Sequence, residues 1–299
     1  MFSTRFRMHG RNSLFLGVFF VFLLFGTNCV PHSPRTDLVR KEFPQSVLIL
    51  GHRGARALAP ENTLSGFRLA MKYGHGFELD TMLCKTGELV VIHDYNLDRV
   101  TNGKGKVKDT SLADIKRLDA GSHFAPEYKG EEVPTLEEVL NEFGGKSVID
   151  IEIKSEESGE PAKQVADAVI DLLTKKKFPK YVFVSSFNPF VLERIKEKKP
   201  EILRGQIYAT FKDSQMSYYK KVALRNLLLN DKAVPDILAP EHLMVDEDYV
   251  KKYHSLGYKI YPWTVNDPSD MRRLLKDGVD GIITDRPDLL SQVLKESGR

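Results

Sequence analysis

From residue 45 onward, short apolar runs alternate with amphipathic stretches, and this repetition limits the chain to few architectures. The apolar runs predict strands at Val47–Leu50, Gly76–Leu83, Ser147–Lys154, Tyr181–Phe187, Leu203–Tyr208, Asp236–Pro240, Lys259–Val265 and Gly281–Thr284. Helical periodicity follows at Asn62–Tyr73, Thr135–Phe143, Pro161–Lys177, Pro189–Lys198, Ser217–Asn230, Asp246–Leu256, Pro268–Lys276 and Asp288–Lys295. Thr135 with Glu138 three residues later forms a capping box, and Gly74, Gly144, Gly257 and Gly278 stand where helices stop. Eight such units predict a (β/α)8 TIM barrel, whose right-handed crossovers are geometrically simple. An open doubly wound sheet is the alternative. It asks for a glycine-rich phosphate turn, and Gly51-His-Arg-Gly54 lacks that spacing.

One segment breaks the alternation. After the second strand, Glu88–His93 predicts a further short strand, and residues 95–134 then form an insertion with a helical pattern near Leu112–Leu118. A long excursion on a βα loop tends to carry function. The expected organisation is a targeting segment over residues 1–28, a linker over 29–44 and the barrel domain over 45–299.

The targeting segment also explains the charge. The chain has 44 Lys+Arg and 41 Asp+Glu, a net charge of +3, and Arg5, Arg7 and Arg11 lie in residues 1–28 with no acid. The remainder is balanced, which excludes the concentrated basic surface of a nucleic-acid binder. The arginines precede an apolar run, Leu14–Phe25, that fits a signal peptide and is short for a membrane span. Cys29 then resembles the lipidation site of a bacterial lipoprotein, although Gly26 and Asn28 depart from the usual pattern before it. Lipidation at Cys29, plain secretion into the periplasm or medium, and an uncleaved anchor all export the domain. Cys84 is the other of the two cysteines and reads as a small buried hydrophobe.

Barrel active sites stand at the C-terminal ends of strands. Those ends here carry His52-Arg53, Glu78-x-Asp80, His93-Asp94, Glu152-x-Lys154, Ser185-Ser186-Phe187, Trp263-Thr264 and Thr284-Asp285. Strand side chains alternate faces, so Glu78 and Asp80 share one face, as do Glu152 and Lys154. Each pair alone fits a solvated face or a local ion pair. Three carboxylates brought together inside a barrel repel one another, and a hard divalent cation, Ca²⁺ or Mg²⁺, relieves that. Zinc fits less well, because no Cys/His ligand spacing accompanies the acids. Two histidines beside a metal suit phosphoryl transfer. Asn62 is placed to cap the first helix, and Glu61 suits either a structural or a ligand role. Trp263, Phe187 and Asp285 each admit a core reading beside a site reading.

The series His52-Arg53-Gly54, Pro60-Glu61-Asn62-Thr63, Glu78-x-Asp80, His93-Asp94, Glu152-x-Lys154, Ser185-Ser186-Phe187 and Asp280-Gly-Ile-Ile-Thr-Asp285-Arg-Pro287 resembles the glycerophosphodiester phosphodiesterase family. The resemblance implies hydrolysis of a glycerophosphodiester to glycerol 3-phosphate and an alcohol. It further implies that Glu78, Asp80 and Glu152 hold the metal, that Arg53 and Lys154 neutralise the phosphate, and that Trp263 shapes the substrate pocket. His52 and His93 become the acid–base pair, with His52 as first base and His93 as first acid. A phospholipase D-like enzyme acting on lysophospholipid or sphingomyelin is the alternative on the same barrel. A non-catalytic surface binding lipoprotein is the alternative of another class. The expected partners are a small phosphodiester and, through the N-terminus, a membrane.

Overall fold

A computed structural model of the chain describes residues 47–155, 159–210, 222 and 227–298. The targeting segment, the linker and most of the helix expected at Ser217–Asn230 lie outside the described residues. Parallel strands β1 (Leu48–Gly51), β2 (Gly76–Leu83), β4 (Val148–Ile153), β5 (Val182–Ser186), β6 (Arg204–Tyr208), β7 (Ile237–Pro240), β8 (Lys259–Ile260) and β9 (Gly281–Thr284) run in the sheet order β8-β7-β6-β5-β4-β2-β1-β9. The gap between β8 and β9 is bridged by backbone hydrogen bonds from Asp280 N to Ile260 O (3.1 Å) and from Val265 N to Ile283 O (3.0 Å). The result is a (β/α)8 barrel, as the alternation predicts. The last-but-one strand is shorter than expected because Pro262 lacks an N–H for the ladder.

Helices α1 (Leu64–Tyr73), α3 (Leu136–Phe143), α4 (Glu160–Lys175), α5 (Pro189–Lys198), α7 (Glu247–Ser255), α8 (Pro268–Asp277) and α9 (Pro287–Glu296) pack outside. Short helices α2 (Leu112–Ile115) and α6 (Asn230–Ala233) complete the described set. The capping box at Thr135 and Glu138 forms as expected. Asn62, in contrast, does not cap α1. Thr63 does, accepting from Gly66 N at 3.1 Å, and Asn62 sits one residue earlier at φ +57° with its side chain turned inward.

Strand β4 shows how alternation builds the layers. Ile149, Ile151 and Ile153 point outward into a core shared with α3, α4 and α5. Its inward face starts with Val148, which plugs the barrel base together with Leu48, Phe183, Tyr261 and Ile283. Above that plug the same face continues with Asp150 and Glu152, and Lys154 follows the strand. On β2, Phe77 and Leu79 face outward while Glu78 and Asp80 face inward, pairing in register with Asp150 and Glu152. Gly76 starts this strand because a Cβ there would lie 1.8 Å from Val148 O.

β3 (Leu89–Val91) returns antiparallel along the end of β2, with Thr81 opposite Val91. Residues 94–134 follow and carry a core of their own, in which Met82, Val90, Ile92, Leu97, Val107 and Ile115 are buried. Cys84 is buried there too, as a small hydrophobe. No helix of the described residues is long and apolar enough to cross a membrane.

Candidate active site

The turn after β1 aims two side chains at the barrel mouth. Arg53 lies in the left-handed region at φ +52°, a conformation that costs a non-glycine residue about 1 kcal/mol. That geometry turns its backbone N–H onto Glu78 Oε2 at 2.9 Å. Its guanidinium meanwhile meets Glu61 Oε1 at 3.0 Å and Asp80 Oδ2 at 3.4 Å. Burial opposes the charge on Arg53, but Asp80, Glu61 and Glu78 more than offset it and hold the group cationic.

Glu78, Asp80 and Glu152 each place a carboxylate oxygen within 4.8 Å of the others, and all three are buried. Burial, and then repulsion from Asp80 and Glu152, push the Glu78 carboxyl well above its ordinary range. Burial likewise raises Glu152, against the pull of Lys154. At Asp80 burial is overcome by Lys154 and Arg53, and its carboxyl is held low. Asn62 donates to Asp80 Oδ2 at 2.8 Å and accepts from Asp80 N at 3.2 Å, so it orients this carboxylate. Glu78 Oε1 is buried without a hydrogen-bond partner, and Asp80 Oδ1 has only the Lys154 ammonium 3.4 Å away. Acceptor oxygens left bare inside a barrel, at the meeting point of three acids, are the donor set a hard divalent cation takes. The triad is therefore able to hold a metal. Lys154 adds a second contact to Glu152 at 3.0 Å, and burial of its ammonium is outweighed by Glu152 and Asp80.

Each histidine is backed by a carboxylate. His52 Nδ1 lies 2.7 Å from Asp285 Oδ1, which leaves its Nε2 directed toward Glu78, 4.0 Å away. Asn266 holds Asp285 in turn, donating to Oδ2 at 2.8 Å and accepting from the Asp285 backbone N at 2.9 Å. β3 delivers His93 above Asp80, since Ile92 N donates to Asp80 O at 3.0 Å one residue earlier. His93 Nδ1 lies 2.6 Å from Asp94 Oδ1. Burial draws the His93 imidazole below its ordinary pKa, and the Asp80 charge works in the opposite direction.

The two halves meet at Glu61. Its nearly buried carboxylate accepts from Arg53, from Arg56 at 3.0 Å and from Arg99 at 2.7 and 2.9 Å. Arg99 also grips Asp94 through Nε at 2.6 Å. The Arg99 hydrogen bond is the largest reason that the Asp94 carboxyl falls to about 2. Burial would raise Glu61, but its arginines overcome this and hold it well below the usual range. Glu61 thus serves the site indirectly, as the structural reading of its position allows.

The eight residues expected to hold the metal, neutralise the phosphate, transfer protons or shape the pocket come together. His52, Arg53, Glu78, His93, Glu152, Lys154 and Trp263 line one cavity, and Asp80 lies against Arg53 and Lys154. Trp263 donates Nε1–H to Ala239 O at 2.8 Å and meets Phe187 edge-on at 5.5 Å, forming an apolar wall opposite the charges. Arg99 and Asn266 escape the sequence reading, and Asp150, which the third strand's end carries, receives no role in it. Asp150 faces the same cavity, accepts from Ser185 Oγ at 2.6 Å, and is raised well above its ordinary range by burial. Its place in the alternation of β4 was the one available signal.

Comparison with known proteins agrees with this geometry. The sequence profile of the glycerophosphoryl diester phosphodiesterase family matches residues 52–289. A glycerophosphodiester phosphodiesterase of Caldanaerobacter subterraneus subsp. tengcongensis is 38% identical over 253 residues, covering 84% of this chain and 99% of that protein. A Bacillus subtilis glycerophosphodiester phosphodiesterase is also 38% identical, over 84% of this chain and 88% of its own length. Among solved structures, an Oleispira antarctica phosphodiesterase in complex with the product sn-glycerol-3-phosphate superposes with a TM-score of 0.71 at 29% identity, covering 85% of this chain and 99% of that one. The chain therefore belongs to the glycerophosphoryl diester phosphodiesterase family and is a phosphodiester-cleaving enzyme.

Proposed function

We propose that the enzyme hydrolyses glycerophosphodiesters to glycerol 3-phosphate and an alcohol by acid–base catalysis between His52 and His93. The observation that carries this reading is one cavity holding two carboxylate-backed histidines, a buried acid triad and two cations. A Ca²⁺ or Mg²⁺ ion held by Glu78, Asp80 and Glu152 would supply positive charge to the phosphate oxygens. Arg53 and Lys154 add fixed positive charge, the guanidinium through a planar fork of donors suited to phosphate. His52, oriented by Asp285, takes the proton of the glycerol 2-hydroxyl as that oxygen bonds to phosphorus. His93, protonated and oriented by Asp94, gives its proton to the departing alcohol. A cyclic glycerol phosphate results. His93, now neutral, then takes a proton from water as the water oxygen attacks phosphorus, and His52 returns its proton to the 2-oxygen. Each proton lost in the first half is restored in the second. Trp263 and Phe187 shape the apolar wall against which the small glycerol moiety rests.

One observation favours the exchange of the two roles. Burial lowers His93, and a ring held neutral suits a base. Leaving-group dependence separates the two assignments. If His93 is the first acid, His93→Ala loses far more activity on glycerophosphocholine than on a p-nitrophenyl ester, whose leaving group needs no proton. If the roles are exchanged, His52→Ala shows that pattern instead. Equal losses for both variants on both esters would overturn the two-histidine mechanism.

A phospholipase D-like activity asks for an apolar rim that seats a lipid, and Phe124 is the one large apolar side chain exposed among the described residues of the insertion. This supports small glycerophosphodiesters as the substrates. The N-terminal pattern supports export with lipid on Cys29, which tethers the enzyme to a membrane of the cell envelope. Palmitate labelling that disappears in Cys29→Ala tests this, and labelling that persists contradicts it.

A further inference from the structure

A second cavity, of about 290 Å³, opens on the other side of Lys154 beneath the insertion. Its floor is apolar, with Val165 of α4 among its residues, and Lys106, Lys108 and Tyr95 of the insertion form its opposite wall. Lys154 lines both this cavity and the catalytic one. We propose that this cavity is the leaving-alcohol subsite and that it favours alcohols carrying a further phosphate. The inference rests on the hydrolytic reading above, with His93 as first acid, and assigns the class of alcohol that reading leaves open.

Three observations support it. First, neither Lys106 nor Lys108 has an ion-pair partner among the described residues, whereas Lys104 pairs with Asp98 at 3.8 Å and Lys116 with Glu132 and Glu138. Their positions are nevertheless fixed. Val107 between them is fully buried, its N–H donates to Tyr95 O at 3.0 Å, and Lys106 bridges to Asn96 across a short antiparallel pair. Two charges without an ion-pair partner among the described residues, carried on a pinned backbone over one cavity, contribute a positive field there. Second, the cavity adjoins the segment that carries the proton donor: Tyr95, which lines it, directly follows Asp94, the residue that orients His93. Third, the catalytic cavity is asymmetric. Its far side, built from Phe187, Trp263 and Ile207, is apolar and suits the glycerol half of the substrate.

The test compares two substrates that differ by one group, glycerophosphoglycerol and its terminal phosphate ester, with glycerophosphocholine as a cationic control. The wild-type enzyme is expected to prefer the phosphorylated ester in kcat/KM at low salt, and added salt to erode that preference. In Lys106→Glu/Lys108→Glu the preference falls by about tenfold, as loss of two exposed charge contacts implies, and glycerophosphocholine turnover is retained or rises. Lys106→Gln/Lys108→Gln gives an intermediate ratio with an unchanged melting temperature, which separates charge from folding. An unchanged ratio in both variants, with glycerophosphocholine still hydrolysed, overturns this subsite and leaves the catalytic reading standing. Failure of the wild type to hydrolyse any of the three esters overturns the catalytic reading and this inference with it.

Discussion

Replacing Arg99 by alanine isolates the part of the site that lies outside the barrel strands. Arg99 donates to Asp94 at 2.6 and 3.0 Å and to Glu61 at 2.7 and 2.9 Å, and so braces the carboxylate that orients His93. Without it the Asp94 carboxyl returns from about 2 toward its ordinary 3.8, which leaves it ionised at pH 7. The charge next to His93 therefore survives and only its orientation is lost. General acid–base catalysis contributes about 10²- to 10⁴-fold, so a loosened but present His93 should lower kcat by about 10- to 100-fold with little change in KM. Glu61 keeps Arg53 and Arg56, so the stability cost is about 1–2 kcal/mol. Arg99→Lys should recover little, because an ammonium cannot fork between two carboxylates. The assay is steady-state release of glycerol 3-phosphate from glycerophosphocholine, repeated with the p-nitrophenyl ester in the His93→Ala background. There the further loss from Arg99→Ala should vanish. A loss of the same size in both backgrounds, or a change confined to KM, would refute the claim that Arg99 acts through His93.

Asp285→Asn should lower kcat by about 100-fold or more with the fold intact, because an amide can stabilise the wrong tautomer of His52; an unchanged kcat contradicts the pairing. In EDTA, stability to urea should fall as pH rises above 4.5, since the Glu78 carboxyl has a raised folded-state pKa and the folded protein holds its proton longer than the unfolded chain. Glu78→Gln should remove much of that slope, and a slope that persists unaltered assigns it to other groups. Gly76→Ala should destabilise the protein by about 3 kcal/mol or more, because its methyl group meets the Val148 carbonyl at 1.8 Å; a melting temperature within one degree of wild type contradicts the register of β2 and β4.

The sequence reveals most clearly what alternation within a strand encodes. Glu78 with Asp80 and Glu152 with Lys154 are legible because a period of two carries each pair to the inner face, and the isoleucines between them point to the helices. Asn62 illustrates the opposite case. Its residue type suits a helix cap, yet Thr63 next to it takes that position, and the bonds Asn62 makes reach 18 residues along the chain to Asp80. Local preference cannot register such a contact. Arg99 is hidden for the same reason, because one partner lies 38 residues away in the turn after β1 and the other belongs to a loop without periodicity. Strand β8 reads too long because its apolar run continues past Pro262, which has no N–H to give to the ladder; beyond it regular pairing gives way to single backbone bonds such as Trp263 N to Pro240 O and Val265 N to Ile283 O.

The central claim is that a metal-holding carboxylate triad and two histidines act together on a glycerophosphodiester. It is tested most directly by glycerol 3-phosphate release from glycerophosphocholine by the wild type and Glu152→Gln, with EDTA and with added Ca²⁺ or Mg²⁺, alongside calorimetric titration of each ion. The account predicts release that EDTA stops and a divalent cation restores, with heat of binding in the wild type and neither release nor comparable heat in Glu152→Gln. Full activity in EDTA, or a Glu152→Gln variant that binds metal and turns over like the wild type, would contradict it.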